Sequence, residues 1–315
     1  MIKKIELTLS SWFITPFESD TILSYIFAFA FLQQNQNIIN IFEEFKKWNI
    51  PFNITNWFYS SQEKIFVPKP IFFKKEDTKN NIDDKNSKLK QEIENEVNRK
   101  KLKKISFIAF EDIKDYFTNP DEIKRKYIDF DFTKLIKLKQ EIWKNSVPRF
   151  HIGETNPYSL SANFVEKITI YVKIYDENSF NTFFSFMKET LLTFGFGAWK
   201  SRWFWKIKKV ELKEITNEEK ETFDFLESMK KQWKYLILNN FKPSEEDLEN
   251  IDFEKSNIEI NFKHTKTLQE LNENFFKWAM NFIKPVSYVV LKNKDSKLKG
   301  DFYQSWNSYN FGFIF

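Results

Sequence analysis

The feature that most constrains the fold is a change of hydrophobic period between residues 167 and 212. Apolar residues first alternate, as in a strand with one buried face, and these residues are Ile168, Ile170, Val172 and Ile174. A helix capped by Ser179 is predicted next, and its inner face consists of Phe180, Phe183, Phe184, Met187, Leu191 and Leu192. A turn with two glycines and a strand from about residue 203 complete a strand–helix–strand unit.

The beginning of the chain repeats this order. Positions 5, 7 and 9 are apolar and alternate with polar residues, which predicts a strand. A helix is predicted from near Thr21, with Ser19 or Asp20 placed to cap it. Two such units predict an α+β fold that consists of two ferredoxin-like (RRM-like) domains with antiparallel sheets.

The pattern restarts after residue 145, and we place the domain boundary near residue 147. The two predicted domains therefore comprise residues 1–147 and 148–315. Residues 74–104 are rich in Lys, Glu, Asn and Asp and poor in apolar residues. A segment of this composition cannot bury enough apolar surface to order itself, so we expect a mobile, charged insertion in the N-terminal domain.

Composition excludes several classes of function. The chain has no cysteine, which excludes disulfides, thiolate zinc sites and cysteine nucleophiles. Its net charge of +5 is compatible with a nucleic-acid partner but is also common in other proteins. The most apolar segment, residues 21–32, is too short to cross a bilayer, which takes about 20 residues. We expect a cytoplasmic protein with no membrane partner, no cofactor and no metal.

The turn at Gly195 and Gly197 uses two of only five glycines in 315 residues. A dinucleotide-binding fingerprint would need a third glycine where Lys200 stands, and a phosphate-binding Walker loop would need glycine in place of Trp199. Neither motif is therefore present. What remains is a turn in which glycine permits positive φ and close backbone approach.

Cations and aromatic rings follow this turn. Lys200, Ser201 and Arg202 stand where side chains and backbone amides can meet a phosphate. On the next strand Phe204, Lys206 and Lys208 share one face, and the other face holds Trp203, Trp205 and Ile207. One of the two faces must be core. Aromatic rings beside cations are typical of proteins that bind single-stranded RNA. A plain turn beside a solvated lysine face has the same spacing, and both interpretations stay open at this point.

Several passages, in order along the chain, are similar to the RAMP superfamily of CRISPR proteins. They resemble in particular the fourth-subunit family of type III-A (Csm) effector complexes. The passages are "TPFESDTILSYIFAFAFL", "IFVPKPIF", "KKLKKISFIAFEDI", "LLTFGFGAWKSRWFWKI" and the closing "NSYNFGFIF". The chain departs from this family at Trp203 and Trp205, where the family's loop usually has two more glycines.

The resemblance implies a non-catalytic RNA-binding subunit. Such a subunit binds and caps the 5′ handle of the crRNA and bridges the large polymerase-like subunit to a backbone RAMP subunit in antiviral defence. No catalytic residue is implied. The spacing and the resemblance together predict an RNA-binding site made of Gly195, Phe196, Gly197, Trp199, Lys200, Ser201, Arg202, Ser19, Asp20, Lys69, Arg149 and His151.

Other interpretations of these residues stay open. RAMP relatives include endoribonucleases that process precursor crRNA with histidine as acid or base, and His151 and His264 are the two histidines of this chain. A scaffold that binds only proteins is a further alternative. Asp20 could serve only as a helix cap, and Lys69 could be exposed on a rigid turn between two prolines.

Overall fold

The computed structural model describes a large part of the chain. The described residues are 1–11, 17–61, 63–70, 105–127, 130–131, 138–146, 156–196, 206–263, 280–293, 296–305 and 308–315. For residues 138–146, 156–163, 302–305 and 308–313 the backbone alone is described. The tract 74–104, for which we predicted a mobile insertion, lies outside these ranges.

Strands and helices alternate along the described chain. The strands are β1 (Ile2–Leu9), β2 (Phe52–Ile54), β3 (Phe58–Ser61), β4 (Lys64–Pro68), β5 (Phe107–Ala109), β6 (Leu138–Ser146), β7 (Asn156–Phe164), β8 (Lys167–Ile174), β9 (Ile207–Glu214), β10 (Lys234–Leu236), β11 (Ile260–Lys263), β12 (Met280–Ile283), β13 (Tyr288–Val290), β14 (Gly300–Ser305) and β15 (Ser308–Phe313). The helices are α1 (Ser19–Leu32), α2 (Gln36–Lys46), α3 (Ile113–Thr118), α4 (Pro120–Tyr127), α5 (Glu177–Phe194), α6 (Asn217–Lys230) and α7 (Glu245–Asn250).

An antiparallel sheet in the order β5-β4-β3-β8-β1-β9 forms the centre of the molecule, and β2 pairs with the other end of β8. β1 lies between β8 and β9, so that Ile5 stands opposite both Ile170 and Leu212. α1 follows β1 along the chain, and α5 connects β8 to β9, so helices and antiparallel strands alternate around this sheet. The predicted α+β class with antiparallel sheets is thus confirmed.

The central sheet takes its strands from both sides of residue 147. β1, β2 and β3 come before this position, whereas β8 and β9 come after it. Strands from residues 1–147 and from residues 148–315 therefore pair directly with one another. The elements inserted between β3 and β8 include the edge strands β4 and β5 and the β6–β7 hairpin.

One face of the sheet is covered by α1, α2 and α5, and the core beneath these helices is apolar. The alternation predicted for β8 is confirmed, because Ile168, Ile170, Val172 and Ile174 are all buried. The inner face of α5 is confirmed except at its end, where the side chain of Leu192 is 42% exposed. Phe184 is half-buried at the margin of the core.

Two helices begin differently from the prediction. α5 is capped by Asp176, whose carboxylate accepts a hydrogen bond from the Asn178 amide, and not by Ser179. α1 begins at Ser19, and no side chain caps its first turn. Neither Ser19 nor Asp20 therefore acts as the predicted cap, because both side chains are turned into the interior.

The opposite face of the sheet is covered by α6 through a buried polar centre. The Glu219 carboxylate accepts hydrogen bonds from Lys4 Nζ of β1 at 2.9 Å and from the Tyr171 hydroxyl of β8 at 2.9 Å. Glu219 also forms a capping box with Thr216 at the start of α6. This carboxylate fixes the helix to both central strands.

The C-terminal part forms a smaller antiparallel layer. β13 pairs with β10, β12 pairs with β11, and bridges at Phe241–Ile283 and Asn257–Tyr288 continue these contacts. β15 packs beside α1, which joins this end of the chain to the elements around the central sheet. In the part of the chain that is described, no helix is long and apolar enough to span a membrane.

The strand pairing predicts how fragments of the chain behave. Residues 1–147 alone should remain largely unfolded, because β1 loses both of its neighbours and its apolar face stays in water. Equimolar mixing with residues 148–315 should restore structure, which circular dichroism and urea titration would measure. Cooperative unfolding of the isolated 1–147 fragment, at a midpoint close to that of the whole chain, would contradict this expectation.

Candidate nucleic-acid interface

The predicted RNA-binding residues divide into two groups. Gly197, Trp199, Lys200, Ser201, Arg202, Arg149 and His151 lie outside the described residues. Gly195, Phe196, Ser19, Asp20 and Lys69 are described. The structure thus describes the residues on either side of the basic turn, Gly195–Phe196 and Lys206, together with the start of α1 and Lys69. We call these residues and their contacts the frame of the turn.

Gly195 ends α5 with φ of 68° and ψ of −160°, a conformation that favours glycine. The predicted need for positive φ at this position is confirmed. Its amide donates to the Leu191 carbonyl at 3.0 Å, and its carbonyl accepts from the Tyr25 hydroxyl at 2.8 Å. Burial raises the pKa of Tyr25 well above its usual range, so the hydroxyl keeps its proton and remains a donor.

Phe196 secures the turn to the interior. Its ring has no exposed surface, stacks on Phe17 with centroids 4.5 Å apart, and meets Tyr25 edge-on at 5.1 Å. A ring in this position cannot meet a base without leaving the core. Phe196 therefore serves as an anchor in this structure.

The far end of the segment is also held. The Ser10 amide donates to the Lys206 carbonyl at 3.0 Å, and the Lys206 amide donates to Ser11 Oγ at 2.6 Å. Beyond it, Ile207 is buried, whereas Lys206 and Lys208 are exposed. The predicted division of this strand into an apolar face and a basic face is confirmed at these three residues.

Ser19 and Asp20 lie in a buried polar cluster at the start of α1. The Ser19 amide donates to Asn56 Oδ1 at 3.0 Å. Asp20 Oδ1 accepts from Asn240 Nδ2 at 2.6 Å and from Lys263 Nζ at 2.7 Å. Asp20 has no exposed surface, so its carboxylate holds the cluster together.

Glu18 is the second carboxylate of this cluster, and it also forms an ion pair with Lys263. Burial raises the pKa of Glu18, and the ammonium of Lys263 only partly offsets this effect. Burial would lower the pKa of Lys263, but Asp20 and Glu18 outweigh it and hold that pKa above its usual value. Among the described residues, Ser19 Oγ and Asp20 Oδ2 have no hydrogen-bond partner.

Lys69 follows β4 and is half-buried beside β5. Its amide donates to the Ser106 carbonyl at 2.9 Å, and partial burial lowers the pKa of its ammonium. β4 ends beside the beginning of β3, because these strands are antiparallel. The segment that precedes β3 contains Asn56, which binds the Ser19 amide. The start of α1 therefore adjoins this segment.

Sequence patterns missed four residues of this frame: Tyr25, Asn56, Asn240 and Lys263. Tyr25 stands in an apolar helix, where a hydroxyl alone gives no signal of its partner. Asn56 and Asn240 are 184 positions apart in the chain, yet the Asn240 amide donates to Asn56 Oδ1 at 3.1 Å. Lys263 ends an alternating strand in which its own position looks solvent-exposed. No local pattern identifies such contacts.

Comparisons with known proteins agree with this architecture. No protein-family profile and no curated protein sequence matches the chain. A solved chain from the Csm3–Csm4 subcomplex of the type III-A CRISPR-Cas interference complex matches with a TM-score of 0.64 and 15% identity, over 99% of this chain and 98% of that one. A chain of the Csm1–Csm4 cassette in complex with cA4 matches with a TM-score of 0.56 and 13% identity, over 100% and 96%.

At these identities the matches show a shared fold, which is the α+β fold of chains solved in type III-A CRISPR complexes. Csm4 is the component that both complexes have in common, and the chain is Csm4-like in its fold.

The buried cluster at α1 yields a stability prediction. Asp20→Asn should lower the free energy of unfolding by about 3 kcal/mol, because breaking a buried ion pair leaves the ammonium undercompensated. Urea denaturation measures this change. Glu246→Gln is the matched control, since it removes one partner of an exposed ion pair with Lys299, and such pairs contribute little. Equal effects of the two substitutions would contradict the assigned role of Asp20.

The same cluster predicts a pH dependence. The folded-state pKa of Lys263 lies above its ordinary value of 10.5, so its protonated form contributes stability that is complete below that pH. This stability is lost as the pH rises through the raised pKa. Lys263→Met should therefore lose less stability than the wild type between neutral and strongly alkaline pH, as measured by urea midpoints. Parallel losses in both proteins would be the contrary result.

Proposed function

We propose that this chain is a non-catalytic RNA-binding subunit of a type III CRISPR effector complex. In this role it binds and caps the 5′ handle of the crRNA and bridges the large polymerase-like subunit to the backbone subunits. The observation that carries the proposal is the glycine turn, which has positive φ at Gly195 and is held at both ends. The Csm4-like fold over the whole chain supports the same role.

The frame limits the freedom of the segment that would bind RNA. Tyr25 and Phe196 hold its beginning, and Ser10 and Ser11 hold its end. Between them the sequence carries Trp199, Lys200, Ser201 and Arg202. Restricting a loop before binding reduces the entropy lost on binding. Cations on such a loop can meet phosphates, and the aromatic ring can stack on a base.

Ser19 and Asp20 have a supporting role in this proposal. A buried carboxylate cannot reach a strand in solvent, and its negative charge would repel phosphate. Asp20 instead holds Lys263 and Asn240 beneath the start of α1. Phe17, two positions before Ser19, stacks on Phe196. The cluster therefore helps to position the beginning of the turn. Lys69, Arg149 and His151 remain proposed RNA contacts.

The proposed protein partners follow from the complexes that contain chains of this fold. Those complexes are a Csm3–Csm4 subcomplex and a Csm1–Csm4 cassette. We extend to this chain two partners of the corresponding kinds, a large polymerase-like subunit and a backbone RAMP subunit. A subunit that joins two proteins and the end of a guide RNA needs binding surfaces and no catalytic group.

The proposal predicts the effect of removing two cations from the turn. Lys200→Ala/Arg202→Ala should weaken binding of repeat-derived handle RNA by at most a few kcal/mol, since each charged contact is worth ~1.5–3 kcal/mol. The slope of log affinity against log salt should become shallower by about 1.4, because two phosphate contacts on a single strand are lost. Fluorescence anisotropy over a salt series measures both quantities.

Lys220→Ala/Lys231→Ala is the matched control, since it removes the same charge from exposed positions at α6, on the opposite face of the sheet. Its affinity and salt slope should stay close to those of the wild type. Equal weakening by both double variants would show a non-specific charge effect. A wild-type protein whose RNA binding is absent or independent of salt would favour the protein-only scaffold.

A further inference from the structure

We propose that Phe194 is a stacking platform for one nucleobase of the bound RNA strand. This inference rests on the proposed function and adds to it a contact that the sequence patterns did not identify. Phe194 is the last residue of α5 and directly precedes Gly195. Phe194 is 43% exposed, whereas Phe196, two positions later, is fully buried.

The ring of Phe194 has a fixed support. It leans on Phe29 of α1, with ring centroids 5.0 Å apart and an interplanar angle of 40°. Phe29 contacts Tyr25 at 4.8 Å, and Tyr25 in turn contacts Phe196. Phe196 stacks on Phe17 in the interior. Five rings in successive contact thus connect the buried Phe17, just before α1, to the exposed Phe194 at the end of α5.

The row of rings favours a flat apolar ligand at its outer end. An exposed ring that is already ordered by its neighbours loses little conformational entropy when it stacks on another ring. Every nucleobase has an aromatic face, so stacking accepts a base of any sequence. In the sequence the first basic residue of the turn, Lys200, follows six positions later.

A base fits this position better than a phosphate does. The C-terminal end of a helix carries a partial negative charge, which disfavours an anion beside Phe194. The Gly195 carbonyl, which accepts from the Tyr25 hydroxyl, is an acceptor and cannot bind a phosphate oxygen. The Gly195 amide donates to Leu191, so it is not available to bind a phosphate oxygen.

A single base also fits better than the apolar surface of another protein. Leu192 is 42% exposed, but it lies two positions away on α5, about 200° around the helix from Phe194. Phe31 is 37% exposed and leans on Phe42 of α2, away from the row of rings. Phe194, Leu192 and Phe31, the three exposed apolar side chains compared among the described residues, therefore face different directions.

The test compares Phe194→Ala with Phe31→Ala, a matched control of the same residue type and similar exposure. Phe194→Ala should weaken binding of a labelled single-stranded handle RNA about tenfold, the size expected for loss of one stacked base. The salt slope should stay unchanged, because no phosphate contact is removed. Phe194→Trp should keep the affinity or raise it, and Phe31→Ala should leave it unchanged.

A series of RNAs with one abasic nucleotide at successive positions provides the second measurement. At one position the missing base should weaken binding to the wild type but not to Phe194→Ala, since both changes remove the same contact. Wild-type binding with equal affinities for Phe194→Ala and Phe31→Ala would overturn the stacking role alone. Absence of wild-type RNA binding would instead overturn the proposed function. A Phe194→Ala protein that binds RNA normally but loses a partner subunit would identify a protein contact.

Discussion

The position of β1 between β8 and β9 is the constraint on which the rest of the structure depends. One face of this three-strand core carries α1, α2 and α5, and the other carries α6 through the Glu219 carboxylate. The ends of α5 and β9 are thereby set, and they define the two ends of the basic segment. The central sheet therefore fixes both ends of the candidate interface, whereas its most polar residues lie in the sequence between α5 and β9.

Local sequence patterns correctly predicted the strands and helices that pack one face on a single apolar core along their whole length. The alternation in β8 and the helical period in α5 were correct, because each element packs one face on a single core. β11 shows where this logic fails. Ile260 and Phe262 are 64% and 61% exposed, whereas Lys263 is buried. Two distant carboxylates reverse the expected orientation, and no neighbouring residue signals their presence.

The candidate site was predictable in its backbone and less so in its side chains. A glycine with positive φ after a long helix follows from steric rules alone. Whether an aromatic ring beside it meets RNA or the interior depends on partners elsewhere. For Phe196 the partner is Phe17, 179 positions earlier in the chain, and the ring is buried. Phe194, two positions before it, carries the same side chain but is 43% exposed.

The ion pair between Asp20 and Lys263 has a consequence for biosynthesis. The two residues are separated by 243 positions, and a ribosome adding about 5–20 residues per second needs roughly 12–50 s to pass from one to the other. During this interval the start of α1 carries an uncompensated carboxylate and cannot settle against its final partners. The nascent polypeptide therefore acquires the ordered contacts at the start of α1 only after residue 263 has been synthesised.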